Sequence, residues 1–112
     1  MISLRVSDYV KAPGFRSKQD GEFSGEWFRE TVLAPELRQA IEKNDRLVVH
    51  IDGVAGYGSS FLEEAFGGLI RNRLATRSEV DQHLEIVAGT PLFRTYRDLI
   101  LRFLRSADPS AN

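Results

Sequence analysis

The chain predicts an α/β fold: one small domain in which a mostly parallel or mixed sheet carries helices packed on it. Three observations lead there. Apolar residues alternate with period two at the N-terminus, a nearly continuous apolar run occupies residues 46–51, and three longer segments repeat their apolar residues at helical spacing. The resulting order is β-α-β-α-β-α. At 112 residues the chain can bury one core and not two.

Taken in order, Ile2, Leu4 and Val6 alternate with Ser3 and Arg5, the pattern of a strand with one buried face. The stretch KAPGFRSKQDGEFSG follows, dense in glycine and charge, and reads as a long loop or short hairpin with its tight turn at Asp20-Gly21. Ser24 is placed to N-cap a helix over 25–43, whose apolar stripe is Phe28, Val32, Leu33, Leu37, Ala40 and Ile41. Pro35 lacks an N–H and crowds the carbonyl four residues back, so a kink or restart is expected beside Ala34.

The run RLVVHI, residues 46–51, reads as a strand covered on both faces. Beyond a Gly-Ser connection, Phe61, Leu62, Ala65, Phe66, Leu69, Ile70 and Leu74 recur at helical spacing. Glu63 and Glu64 lie early in that helix and Arg71 and Arg73 late, which suits its dipole. HLEIV, residues 83–87, gives a third strand, and Thr90-Pro91 opens the last helix as N-cap and N1. Residues 1–105 form the domain, and the small, polar residues 106–112 are expected to be a flexible tail.

Composition narrows the function. Fifteen Lys and Arg against sixteen Asp and Glu leave a net charge of -1, so no overall basic field draws in nucleic acid or an anionic membrane. With no cysteine and two histidines, thiol chemistry and a metal site are not expected, and no cofactor is implied. The absence of a long apolar run and of a signal-peptide core gives the expectation of a cytoplasmic protein.

The stretch DGVAGYGSSFLEEAFGGLIR, residues 52–71, carries the functional question. A phosphate-binding P-loop needs a lysine after its last glycine, where this chain has Ser59, and the glycine spacing does not match a dinucleotide fingerprint. A nucleophile elbow needs G-x-S-x-G, and the second glycine is missing, which ranks an enzyme built on Asp52, Ser59 and His83 last. What remains is a strand, a glycine turn and a helix start, with Ser59 or Ser60 as the expected N-cap. Gly67-Gly68 inside the helix implies that something approaches its backbone closely, either a neighbouring element or a partner. A second cluster, Arg16, Lys18, Asp20, Glu22, Ser24, Glu26 and Arg29 around Trp27, has the charge and aromatic density of a recognition surface.

Together, GFRSKQDGEFSGEWFRE and DGVAGYGSSFLEEAFGGLIR resemble the bacterial STAS-like family of unknown function, related to the STAS domains of anti-sigma-factor antagonists. The resemblance implies a single STAS-like domain. In the antagonists a strand runs into a D-S-S-G or D-S-T-G turn whose first hydroxyl is phosphorylated by a partner ATPase of the histidine-kinase type. Carried over, Ser59 takes the phosphorylated position, Gly58 stands where the antagonists have aspartate, and Phe61 where they have glycine.

The resemblance therefore implies a non-enzymatic regulatory module. It would dock on a histidine-kinase-like ATPase through Asp52, Tyr57, Gly58, Ser59, Ser60, Glu63, Glu64, Gly67 and Gly68, with Arg16, Asp20, Ser24, Glu26 and Arg29 as a second surface. The alternative is a small nucleotide- or anion-binding domain using the helix N-terminus after Gly58, with Arg16 or Lys18 as counter-charge. Exposed helix faces and a free sheet edge also permit a homodimer.

Overall fold

The computed structural model describes residues 1–109. Its elements are β1 (Ile2–Arg5), α1 (residues 25–42), β2 (Leu47–His50), α2 (residues 59–71), α3 (Arg77–His83), β3 (Leu84–Val87) and α4 (Pro91–Ser106). A 3-10 turn, Val6–Asp8, ends β1, and residues 11–24 form a strap without regular structure that leads into α1.

The three strands form a wholly parallel sheet in the order β1-β2-β3. Register explains which face is buried. Leu4, Val49 and Ile86 lie across from one another, as do Ile2, Leu47 and Leu84, and these point into the hydrophobic core. The alternate rows, Ser3-Val48-Glu85 and Arg5-His50-Val87, point the other way. Ser3, Arg5 and Glu85 are exposed, and Val48, though only 6% exposed, lies outside the core cluster. The expectation that β2 is covered on both faces holds for Leu47, Val48 and Val49, all buried, although the strands beside it expose Ser3, Arg5 and Glu85.

Helices α1 and α2 each change register midway. In α1 a π turn over Arg29–Leu33 sends the Ala34 N–H to Arg29 O, five residues back, immediately before Pro35. The wider turn accommodates a residue that has no N–H and whose ring crowds the preceding turn, so the helix continues instead of stopping. In α2 the π turn spans Glu63–Gly67, and the Gly68 N–H goes to Glu63 O. Phe28, Phe61, Phe66, Leu33 and Leu69 fill the core between α1, α2 and the sheet.

The short helix α3 is absent from the sequence reading, which began a strand at His83. That residue instead ends α3, buried, with its Nδ1 2.7 Å from Asp45 O. Val80 is the buried apolar residue of α3, too little for a periodic signal, but Thr76 and Glu79 form a capping box that does mark its start. The loop reading of residues 11–24 holds, with a tight turn over Ser17–Asp20, centred two residues before the expected Asp20-Gly21 and closed by the Asp20 amide on Ser17 O at 3.0 Å. Of the residues expected in a flexible tail, Ser106 ends α4, and Ala107 is buried with its carbonyl accepting from Arg77. Residues 110–112 lie outside the described residues.

Candidate functional site

The turn after β2 is held from three sides. Gly53 takes a positive φ of 89°, the left-handed region that favours glycine, beside the Ser7 side chain. The Asp52 carboxylate accepts the Gly89 N–H at 2.9 and 3.0 Å, tying the end of β2 to the start of α4. Tyr57 is buried among Phe61, Phe93 and Tyr96, and its hydroxyl donates to Ile51 O at 2.7 Å. Burial, and then the nearby Asp52 charge, push its pKa well above the usual phenol value. Asp52 and Tyr57 are therefore anchors of the turn, with their polar atoms engaged inside the domain.

Gly58 is the N-cap of α2, and the expectation that Ser59 or Ser60 caps the helix is corrected here. The Gly58 N–H donates to Pro13 O at 2.8 Å, and its carbonyl accepts the first intrahelical bond, from Leu62, at 3.2 Å. Ser59 and Ser60 become the first two helical residues, both exposed, with no side-chain cap bond at this end. A side chain at position 58 would bring its Cβ to 2.9 Å from the backbone oxygen of Gly14. An aspartate there, as in the antagonists, has no room while the strap lies over the turn.

Beyond the turn, α1, α2 and the strap meet in an ion cluster. Arg16 of the strap donates to Glu63 at 2.6 Å and to Glu64 at 3.2 Å. Arg71 reaches Glu63 at 2.5 Å, and Arg29 reaches Glu64 at 2.5 Å and the Glu64 carbonyl at 2.6 Å. That carbonyl is open to Arg29 because the π turn diverts the Gly68 N–H to Glu63 O. The pair is deeply placed: the Arg29 side chain is 6% exposed and that of Glu64 18%. Burial pushes the Glu63 carboxyl up, but the Arg71 and Arg16 guanidiniums together outweigh it and hold the pKa below the usual carboxylate value.

This cluster explains the double glycine. A Cβ on Gly68 would lie 2.3 Å from Arg29 Nη1, and one on Gly67 would lie 2.8 Å from Glu63 Oε2. Gly25 is similarly tight, its Cβ position 2.5 Å from Phe61 O, so glycines on both helices permit the α1–α2 approach. Gly67 and Gly68 are buried. The expectation that they form part of a docking surface gives way to close packing inside the domain.

The second predicted surface is continuous with the first. Ser24 is buried and caps α1 by accepting from the Trp27 N–H at 3.0 Å. Glu26 accepts from the Lys18 amide at 2.9 Å, Lys18 pairs with Glu30 at 2.6 Å, and Asp20 accepts from Ser17. Arg16 and Lys18 both end on carboxylates, so a free anion at the turn would have to draw either of them from its glutamate, which weighs against the anion-binding alternative. The proposed triad of Asp52, Ser59 and His83 is not assembled. His83 precedes β3 while Asp52 and Ser59 follow β2, so a strand length of about 13 Å separates them in a parallel sheet. Among the described residues no group of three or more His, Cys, Asp and Glu is placed to hold a metal ion, and no helix is long and apolar enough to cross a membrane.

Residues 25–91 match the family model described as a STAS-like domain of unknown function. The chain belongs to this STAS-like family. The matched span runs from the first turn of α1 to the start of α4, taking in β2, the glycine turn, all of α2 and β3. The strap that closes over Gly58 lies before it. No curated protein and no solved structure matches the chain.

Proposed function

We propose that this STAS-like domain is a non-enzymatic regulatory module that docks on a protein partner through the turn at residues 56–60 and the neighbouring strap. The partner proposed is a histidine-kinase-like ATPase, with Ser59 as the hydroxyl it phosphorylates, in a cytoplasmic setting. One observation carries the reading: the cap of α2 is a glycine, so Ser59 and Ser60 stand exposed at the helix start without the capping role that would explain them. The rest of the turn supports it, because Asp52, Tyr57 and Gly58 are pinned to the domain and hold those hydroxyls on a rigid mount. A phosphate at Ser59 adds about -1.5 to -2 charges there, enough to alter a docked contact.

The experiment is affinity capture from the native host with wild-type and Ser59→Asp baits, the retained proteins being identified by mass spectrometry. The expected result is a kinase-like ATPase held by one bait and not the other. Equal retention of the same proteins by both baits removes the switch from this reading.

A further inference from the structure

The ion cluster contains a cation that can change partners. Glu63 is held by Arg71 as well as Arg16, and Glu64 by Arg29 as well as Arg16. Each carboxylate therefore keeps a guanidinium if Arg16 leaves. Arg16 is also the most exposed of the three arginines, its side chain 43% exposed against 35% for Arg71 and 6% for Arg29. Arg29 is further tied to Glu30 at 4.0 Å, so Arg16 is the guanidinium that can leave with both carboxylates still paired.

The exposed hydroxyl nearest Arg16's two carboxylates along α2 is on Ser60. Glu63 and Glu64 lie three and four residues after it, the spacing that places side chains over one another on a helix, whereas Ser59 shares that spacing with Glu63 alone. The strap is also close at hand: Gly14, two residues before Arg16, packs against Gly58, two residues before Ser60. A phosphate offers a guanidinium more charge and more acceptor oxygens than a carboxylate does.

We propose that Ser60 is a second modification site, and that a phosphate on it is read within the chain by Arg16, which leaves Glu63 and Glu64 for it and shifts the strap. The inference rests on the reading of this turn as a regulated surface. In the transfer, Ser60 Oγ bonds to the γ-phosphorus of a nucleoside triphosphate held by the partner kinase. The bond to the β-phosphate oxygen breaks, the nucleoside diphosphate leaves with that electron pair, and the hydroxyl proton passes to a base on the kinase. The movement is transmitted because the Arg16 carbonyl accepts the Glu26 amide and the Phe15 carbonyl accepts the Gly25 amide. Phe15 and Phe23, exposed aromatics on the strap, move with it and change the surface a partner meets.

The test uses the full chain with phosphoserine installed at position 60, or at 59, each with Arg16 intact or as Arg16→Gln. Phosphorus NMR titration reads the phosphate directly. With Arg16 present the phosphate at 60 is expected to titrate about one pH unit lower than with Arg16→Gln, and the phosphate at 59 by less. Hydrogen exchange on the wild-type background, which needs no substitution at Arg16, is expected to show altered exchange of the Gly25 and Glu26 amides on phosphorylation at 60. Equal titration with and without Arg16 overturns the inference, as does an Arg16-dependent shift confined to position 59. Partner capture is read separately, so a switch at Ser59 with no Arg16 pairing refutes this inference and spares the docking reading; pairing without a capture difference does the reverse.

Discussion

Replacing Gly68 by alanine sets two physical effects against each other. In an ordinary helix interior the change stabilises by about 1 kcal/mol, because alanine loses less backbone freedom on folding. Here the new Cβ falls 2.3 Å from Arg29 Nη1, 3.0 Å from its Cζ and 3.1 Å from its Cδ, so the whole end of the side chain must move. Moving it breaks the bonds from Arg29 to the Glu64 carboxylate and carbonyl, at 2.5 and 2.6 Å, in a site where the arginine is almost fully enclosed. Disrupting a buried pair costs about 3–5 kcal/mol, and because Glu64 keeps Arg16 and Arg71 the loss here is placed lower, about 2–4 kcal/mol.

Less the helix gain, the net destabilisation is about 1–3 kcal/mol, a fall in Tm on the order of 5–15 °C for a domain of this size. Urea and thermal denaturation of the two proteins measure it. Gly67→Ala is the control, since its Cβ meets chiefly the movable tip of Glu63, and it is expected to leave stability within about 1 kcal/mol of wild type. A Gly68→Ala protein as stable as wild type, or more so, refutes the reasoning about the α1–α2 crossing.

Gly58→Asp, which restores the residue found in the antagonists, is expected to lift the strap from the turn and speed tryptic cleavage after Arg16 and Lys18, with the rest of the domain intact. Tyr57→Phe removes a buried donor from Ile51 O and is expected to cost about 1–2 kcal/mol in denaturant unfolding. Because the Glu63 pKa is held below its ordinary 4.5, its stabilisation is present above that value and lost as pH falls through the folded pKa. Thermal melts should therefore decline on acidification below about pH 5, and less steeply in Arg71→Gln, which has already lost one of the two guanidiniums that lower it.

The sequence carried the strands, the long helices and the family clearly, because their signals are local: period-two alternation in β1, helical spacing in α1, α2 and α4, and the block from Asp52 to Arg71. What it could not carry depended on contacts between distant segments. Gly67 and Gly68 announce a close approach, but only the fold shows that the group against Gly68 is Arg29, 39 residues earlier in the chain, while Gly67 faces Glu63 of its own helix. The serines look like caps until the Gly58 carbonyl, accepting the Leu62 N–H while the Gly58 N–H donates to Pro13 O, shows the cap before them. RLVVHI reads as a strand buried on both faces and Leu47, Val48 and Val49 are buried, but that Val48 lies between Ser3 and Glu85 is set by the register and is not legible in the run itself. That the two predicted clusters meet is likewise set by the fold, where Arg16 and Arg29 both end on the glutamates of α2.

The central claim is that the partner docks at the glycine turn and the strap. Hydrogen exchange of the chain with and without its captured partner tests that claim most directly. Slowed exchange of the amides at residues 56–64, together with the strap, is the predicted footprint. A footprint on β1 to β3 with the turn unprotected would place the partner on the sheet and contradict it.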